Sequence, residues 1–296
     1  MNLKIWVLAT RPWSFAMTAI SVGVGGAVAA LDGPFDIGLF VLTLIGAVCV
    51  HGATNLVNDY FDYKSGVDRP GAPTTLYRPH PLVQGLISPQ AVLWVSFGLY
   101  AIAALIGLAL IGLKGAGLLW FIVIGAIASF FYTAGPIKYK YLALGEFSVF
   151  LMWGPVIVGG TYFVQRGSLS PEAVLISVPF GLLVALVLLA NNLRDIDYDR
   201  SAGITTIGTL LGQRKTRALY QGLILTAYLA IAVLIVLKIL SPWGVLVFFS
   251  APVAVRLIKI FQQEIPNDAD ARTSQLDMLF GVWLIIGLIL ERIFPL

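Results

Sequence analysis

Nine runs of mostly apolar residues, each close to the length that crosses a bilayer, dominate the chain. They lie at about 13–31, 37–57, 90–112, 116–133, 143–163, 171–191, 216–238, 241–261 and 276–294. A run of about 20 apolar residues spans the hydrocarbon core as one α-helix. Backbone groups in lipid must satisfy one another, so a long continuous run has no other solution, whereas a membrane barrel would show short alternating segments. The expected fold is all-α: a polytopic membrane protein of nine transmembrane helices. Composition supports this, because only 11% of the 296 residues are charged, against about 25% in soluble domains.

Charge placement sets an expected orientation. With the N-terminus inside, all of the 19 lysines and arginines except Lys114, Arg166, Lys238 and Arg292 fall on the cytoplasmic side. This predicts a multi-pass protein of the cytoplasmic (inner) membrane with its C-terminus outside. The longer connections, 58–89, 134–142, 192–215 and 262–275, then share the cytoplasmic face. The net charge of +4 comes mostly from those loops and gives no reason to expect a nucleic-acid partner; the lipid bilayer is the expected one. Cys49 is the single cysteine, so no intrachain disulfide forms. Lys4 and Arg11 precede the first run without a clear cleavage site, which reads as a retained first span.

The polar residues that matter most follow the second and sixth runs. Asn191, Asp195 and Asp199 stand at i, i+4 and i+8, on one helical face. Earlier, Asn55, Asp59 and Asp62 stand at i, i+4 and i+7, with Asn58 beside them and Asp68 beyond the Gly66 exit. Both stretches run Asn-Leu, spaced aspartates, a basic residue and a Ser/Gly exit. The offset of four spans keeps their orientation in the membrane, so we read a parallel repeat that brings two acidic helix ends face to face. This predicts one domain, 1–296, with pseudo-repeat halves of about 1–133 and 134–261 and a last helix at about 276–294. Facing carboxylates at a membrane surface are costly unless cations lie between them. Oxygen donors of this kind suit Mg²⁺ shared with a diphosphate. His51, a turn before Asn55, is read as a helix-to-helix hydrogen-bonder outside the metal set. Asp197 points off the shared face.

Basic residues, among them Lys64, Arg69, Arg78, Lys138, Lys140, Arg194 and Arg200, are interleaved with these acids. Most anchor helices, and a subset can hold a diphosphate, with Arg194 and Lys138 closest to the acidic or aromatic elements. Trp13, Tyr60, Phe61, Phe130, Phe131, Tyr132, Tyr139 and Tyr141 crowd the same end. They suit an interfacial belt, and a few of them can flank a carbocation. No Walker loop, Rossmann glycine pattern, Cys/His zinc spacing or Gly-x-Ser-x-Gly elbow occurs, which removes most nucleotide-driven and hydrolytic readings.

These motifs resemble those of the UbiA superfamily of intramembrane prenyltransferases over essentially the whole chain. Asn55 to Asp68 resembles the family's first aspartate-rich motif, and Asp195 to Asp199, followed by Gly203 and Thr206, the second. Within the superfamily the chain is most similar to the 1,4-dihydroxy-2-naphthoate polyprenyltransferases of menaquinone biosynthesis. Three stretches carry that likeness: Asn191 to Gly203, Tyr132-Thr133-Ala134-Gly135-Pro136 leading to Gly154-Pro155, and Arg11-Pro12. The stretch from Arg78 to Ser88 is longer and more proline-rich than that branch leads one to expect.

The resemblance implies two Mg²⁺ ions bound with an isoprenyl diphosphate donor, and an aromatic acceptor. It implies metal ligands among Asn55, Asp59, Asp62, Asn191, Asp195 and Asp199. Catalysis then involves Asp59, Asp62, Asp195, Asp199 and Lys138. Contacts to diphosphate or acceptor come from Arg194, Lys64, Arg78, Tyr132, Lys140, Arg11, Asn58 and Asn192. Sequence register leaves both Lys138 and Lys140 open as the lysine on the diphosphate. Other acceptors of the superfamily (4-hydroxybenzoate, geranylgeranylglyceryl phosphate, chlorophyllide, haem) and, more remotely, a secondary transporter are the competing readings. Acids at helix ends rather than at mid-span speak against transport.

Overall fold

The computed structural model describes residues 3–296. Thirteen α-helices follow in chain order among those residues: α1 Leu3–Ala9, α2 Phe15–Leu31, α3 Ile37–Lys64, α4 Pro73–Tyr77, α5 Pro89–Lys114, α6 Leu118–Phe131, α7 Gly145–Leu151, α8 Ile157–Arg166, α9 Pro171–Arg194, α10 Ile196–Ser201, α11 Ile207–Val236, α12 Ala251–Gln263 and α13 Ala269–Ile293. The one extended contact among them is an isolated bridge between Leu142 and Thr205. Each of the nine expected runs overlaps a helix. Among the described residues seven helical segments are long and apolar enough to cross a membrane: Pro12–Leu31, Ile37–Lys64, Pro89–Lys114, Gly145–Arg166, Pro171–Arg194, Ile207–Val236 and Pro242–Gln263. Helix α6 is apolar but has only 14 residues, and α13 carries Asp270, Arg272, Asp277, Glu291 and Arg292.

Local chemistry sets the helix ends. Asp36 caps α3 through the Leu39 amide at 3.1 Å, and the helix then continues for 28 residues. At 1.5 Å per residue it is about 42 Å long, enough to cross the bilayer and carry its last turns beyond it. Ser88 before Pro89 and Ser170 before Pro171 cap α5 and α9 in the same way. Thr206 and Thr209 form a reciprocal capping box at the start of α11. A π turn at Met152–Val156, with Gly154 out of helical geometry and Pro155 behind it, separates α7 from α8. The kink presses against α9: a Cβ on Gly181 would stand 3.0 Å from both the Gly154 Cα and the Phe150 carbonyl oxygen. Only glycine permits that approach.

Helix α9 is the central post, with 67% of its apolar window buried against 17% for α5, which forms an outer wall. Phe180, Leu183 and Leu186 of α9 join Val24 of α2, Tyr220 and Ile224 of α11, and Leu276 and Phe280 of α13 in one core. Tyr220 stacks on Phe261 with ring centroids 4.2 Å apart.

The bundle has two polar ends. At one, Tyr162 donates to Asp32 at 2.5 Å and Gln165 pairs with the Asp36 backbone at 2.9 Å. At the other, the loops that bear the two acidic motifs meet. Tyr198 donates to the Val67 carbonyl at 2.6 Å, and the Ala143 amide donates to Thr205 at 3.2 Å. The loop after the first motif and the helix that bears the second are thus in contact at this end.

Candidate active site

A cavity of about 1180 Å³ opens at that second end and runs deep into the bundle. One face of α3 lines it continuously: Thr43, Ala47, Val50, Thr54, Asn55, Asn58 and Asp62. From Thr43 to Asp62 is roughly 28 Å along the helix. The deep part is apolar, closed by Leu110, Leu118, Phe121, Ile122 and Val164, and the mouth is polar, with Arg11, Arg78, Tyr132, Lys140, Asn191, Asp268 and Asp270. A long apolar substrate with a charged head matches that division.

At the mouth, Lys140 is the hub of the first acidic motif. Its Nζ donates to Asp62 Oδ2 at 2.8 Å and to Asn58 Oδ1 at 3.1 Å. Asn58 also donates to Asp62 at 3.1 Å, and the Tyr141 hydroxyl donates to the other Asp62 oxygen. The Lys140 ammonium lies 5.7 Å from the Tyr132 ring centre and 5.3 Å from that of Tyr141. Burial pulls the Lys140 pKa down, but Asp62 outweighs it and holds the ammonium well above its usual value. The loop after α6 makes this possible. Lys138 takes a left-handed turn (φ 47°) that reverses the chain, and Lys140 enters the site while Lys138 stays exposed. Of the two lysines left open by the sequence, the fold brings Lys140 to the acids.

The second motif is built on the junction of α9 and α10. Arg194 grips Asp195 through Nε at 2.7 Å and Nη2 at 2.8 Å, reaches Asp270 of α13 at 3.1 Å and also binds Asn191. Arg194, expected as a diphosphate contact, has its fork on carboxylate and amide oxygens in this structure. Asp195 and Asp199 are both buried. Burial outweighs Arg194 and raises the Asp195 pKa. Burial, then the Asp195 charge, pushes Asp199 up to about 7. Among the described residues no hydrogen bond reaches the Asp199 carboxylate. Burial raises both carboxylates, Asp270 adds to the rise at Asp195 and Asp195 to that at Asp199, which marks a place short of positive charge. Their oxygens, with those of Asp62, Asn58 and Asn191, are donors a hard divalent cation accepts, so the residues present fit a Mg²⁺ centre.

Three other expected residues lie elsewhere. Asp59 turns away from Asp62 toward Arg11 and Arg78, because it sits on the neighbouring stripe of α3. Asn192 donates to Glu146 at 2.8 Å inside the bundle, and Lys64 is exposed at the end of α3. Asn55 lines the cavity while its amide donates to the Thr10 carbonyl at 2.9 Å. His51 bonds Thr18 at 2.7 Å and Ser14 at 3.1 Å, and the Asp197 side chain is fully exposed. Tyr141, Asp268 and Asp270 were not singled out as site residues from the sequence. Tyr141 was hidden in an aromatic cluster, and the two acids lie outside both repeated motifs.

Comparison with known proteins agrees with this geometry. Residues 18–284 match the model of the UbiA prenyltransferase family. The chain is 33% identical over 291 residues to UbiA prenyltransferase domain-containing protein 1 of Xenopus tropicalis, covering 96% of this chain and 81% of that one. It is 30% identical over 295 residues to the 1,4-dihydroxy-2-naphthoate octaprenyltransferase of Bacillus subtilis, covering 98% and 94%. A UbiA homologue from Aeropyrum pernix superposes with a TM-score of 0.70 at 19% identity, over 93% of this chain and 97% of that one. A homologue from Archaeoglobus fulgidus bound to GPP and Mg²⁺ gives 0.66 at 13% identity, over 96% and 99%. The family model covers most of the chain, and both sequence relatives extend along nearly all of it, so the chain belongs to the UbiA prenyltransferase family and is a prenyltransferase.

Proposed function

We propose that the protein transfers a polyprenyl group from an isoprenyl diphosphate to 1,4-dihydroxy-2-naphthoate, with loss of carbon dioxide, in menaquinone biosynthesis. The observation that carries the reading is the cavity whose apolar depth ends at a mouth joining Asn58, Asp62 and Lys140 to Asn191 of the second motif. The named Bacillus subtilis relative supports the acceptor, and the archaeal homologue bound to GPP and Mg²⁺ supports the donor and metal. We place the site at the cytoplasmic face of the inner membrane, with all nine helical runs crossing it.

In this reading Asn58, Asp62, Asp195 and Asp199, with Asn55 of α3 and Asn191 of α9, would hold two Mg²⁺ ions beside the diphosphate. When bound, Mg²⁺ neutralises charge on the departing diphosphate as a Lewis acid. Lys140 pairs with Asp62 at 2.8 Å and adds a fixed positive charge at the mouth. Tyr141 and Asn58 orient the Asp62 carboxylate, and Arg194 orients that of Asp195. The apolar wall from Phe121 to Val164 takes the prenyl tail and excludes water from the developing allylic cation, which the Tyr132 ring face shields. The C–O bond breaks with its electron pair leaving on the diphosphate. The acceptor carbon bearing the carboxylate forms the new C–C bond. The C–CO₂⁻ bond then returns its pair to the ring as carbon dioxide leaves, so no protein base is consumed.

Metal removal tests the core of this reading. Membranes treated with EDTA are expected to lose prenyl transfer by about a hundredfold or more, and added Mg²⁺ should restore it. Full activity in the presence of chelator would sink the proposal.

A further inference from the structure

The first acidic motif divides into two stripes on α3, and only one faces the cluster around Lys140. The other, His51–Asn55–Asp59 at i, i+4 and i+8, holds the segment that enters α2. Asn55 donates to the Thr10 carbonyl at 2.9 Å and to Ser14 Oγ at 3.3 Å. His51 bonds the same Ser14 hydroxyl at 3.1 Å, and Ser14 donates back to the Arg11 carbonyl at 2.7 Å. Arg11 itself is held in a left-handed conformation (φ 56°), which a non-glycine residue adopts only where its surroundings enforce it. Its guanidinium pairs with Asp59. Arg78, itself buried, donates to the same carboxylate at 3.0 and 3.4 Å. Asp59 is buried and does not line the main cavity, whereas Arg11 and Arg78 do.

We infer that Asp59 is a positioning residue: with Asn55 and His51 it forms a seat that aims Arg11 and Arg78 together at an oxyanion of the bound substrate. Both guanidiniums line the cavity, whereas the Asp59 and Asp68 carboxylates lie behind them and do not, so the positive charge is the part turned to a substrate. Paired on one buried carboxylate, the two guanidiniums are held in fixed directions at the cavity wall, which suits phosphate or carboxylate oxygens. A metal at Asp59 is the rival assignment, since oxygens of Asp59 and Asp68 and a nitrogen of His80 lie within 4.8 Å of one another. Against it, both arginines already occupy Asp59, and His80 Nε2 is engaged by Asp68 at 2.9 Å. A cation there would have to displace one positive group and sit beside another. The inference rests on the prenyl-transfer reading for the nature of the substrate, and on the hydrogen bonds alone for the role of Asp59.

The test uses the full-length protein in detergent, with Mg²⁺, donor and acceptor each titrated. Asp59→Asn is expected to raise KM for one substrate by about 10- to 100-fold while the half-saturating Mg²⁺ stays within about twofold of wild type; Asp62→Asn should shift the Mg²⁺ requirement. A rise in donor KM assigns the arginines to the diphosphate, and a rise in acceptor KM assigns them to the acceptor carboxylate; either supports the inference. In an Arg78→Gln background, Asp59→Asn should add less than about threefold, because neighbours acting as one unit are not additive. The inference is overturned if Asp59→Asn shifts the Mg²⁺ requirement as Asp62→Asn does, or if its effect multiplies with that of Arg78→Gln. Should Asp59→Asn not fold, Asp59→Glu, which keeps the charge and displaces it, decides on the same Mg²⁺ and KM criteria. If the wild type transfers no prenyl group to any acceptor, the proposed function fails. Calorimetric binding of inorganic diphosphate, weakened by Asp59→Asn or not, then settles the positioning role separately.

Discussion

Asp62→Asn and Asp199→Asn are each expected to slow prenyl transfer by about a thousandfold, roughly 4 kcal/mol of lost transition-state stabilisation. Asparagine keeps the size and one oxygen but removes the charge that a divalent cation needs. The two variants should part company in stability. Asp62 neutralises the buried ammonium of Lys140 at 2.8 Å. Removing its charge strands a cation, and breaking a buried pair from one side costs about 3–5 kcal/mol. Asp199 is the opposite case. Burial and the Asp195 charge raise its pKa from 3.8 to about 7, so in the metal-free fold the cost of ionising it builds as pH rises between those values and is fully present above about 7. A neutral asparagine relieves that cost. Metal-free Asp199→Asn should therefore melt at or above the wild-type temperature near neutral pH, while Asp62→Asn melts below it. Thermal unfolding in detergent beside the transfer assay checks both halves. An Asp199→Asn variant within tenfold of wild-type activity would remove the second motif from the metal centre.

Lys140→Met carries the second large effect, expected at about 10²- to 10³-fold in kcat, the range seen when one fixed donor to a developing anion is lost. The methionine fills the space of the lysine stem, so packing against the Tyr132 and Tyr141 rings persists while the charge is gone. Without it Asp62 faces the other acids with Asn58 and Tyr141 as hydrogen-bond donors but no adjacent ammonium. Lys138→Met is the control. Its side chain is exposed at the turn, and activity should stay within about twofold of wild type, as for most surface substitutions. Equal losses in the two variants would show that the loop re-forms around either lysine.

Much of this architecture was legible in the chain. A long apolar run in lipid has only the helix available to it, and each expected run overlaps a helix. The acidic motifs stood out because Asn and Asp recur at helical spacing where apolar runs stop. Spacing could not divide α3 into two stripes. Asn55, Asp59 and Asp62 share a broad arc, and which of them meets a guanidinium and which an ammonium is set by Thr10–Ser14 and by the loop at 139–141. Neither is near α3 in sequence. The choice of Lys140 over Lys138 turned on one left-handed residue, and lysine has no sequence preference for that conformation. The Arg194–Asp270 pair bridges 76 positions, so a reading confined to the second motif has no view of it.

The most direct measurement is the mass of the product formed by membranes containing the protein, given Mg²⁺, an all-trans isoprenyl diphosphate and 1,4-dihydroxy-2-naphthoate. The account predicts a species equal to the acceptor plus the prenyl group less carbon dioxide, absent with EDTA and absent with Asp199→Asn. A prenylated product that retains the carboxylate, or prenylation of 4-hydroxybenzoate in preference to the naphthoate, would contradict it.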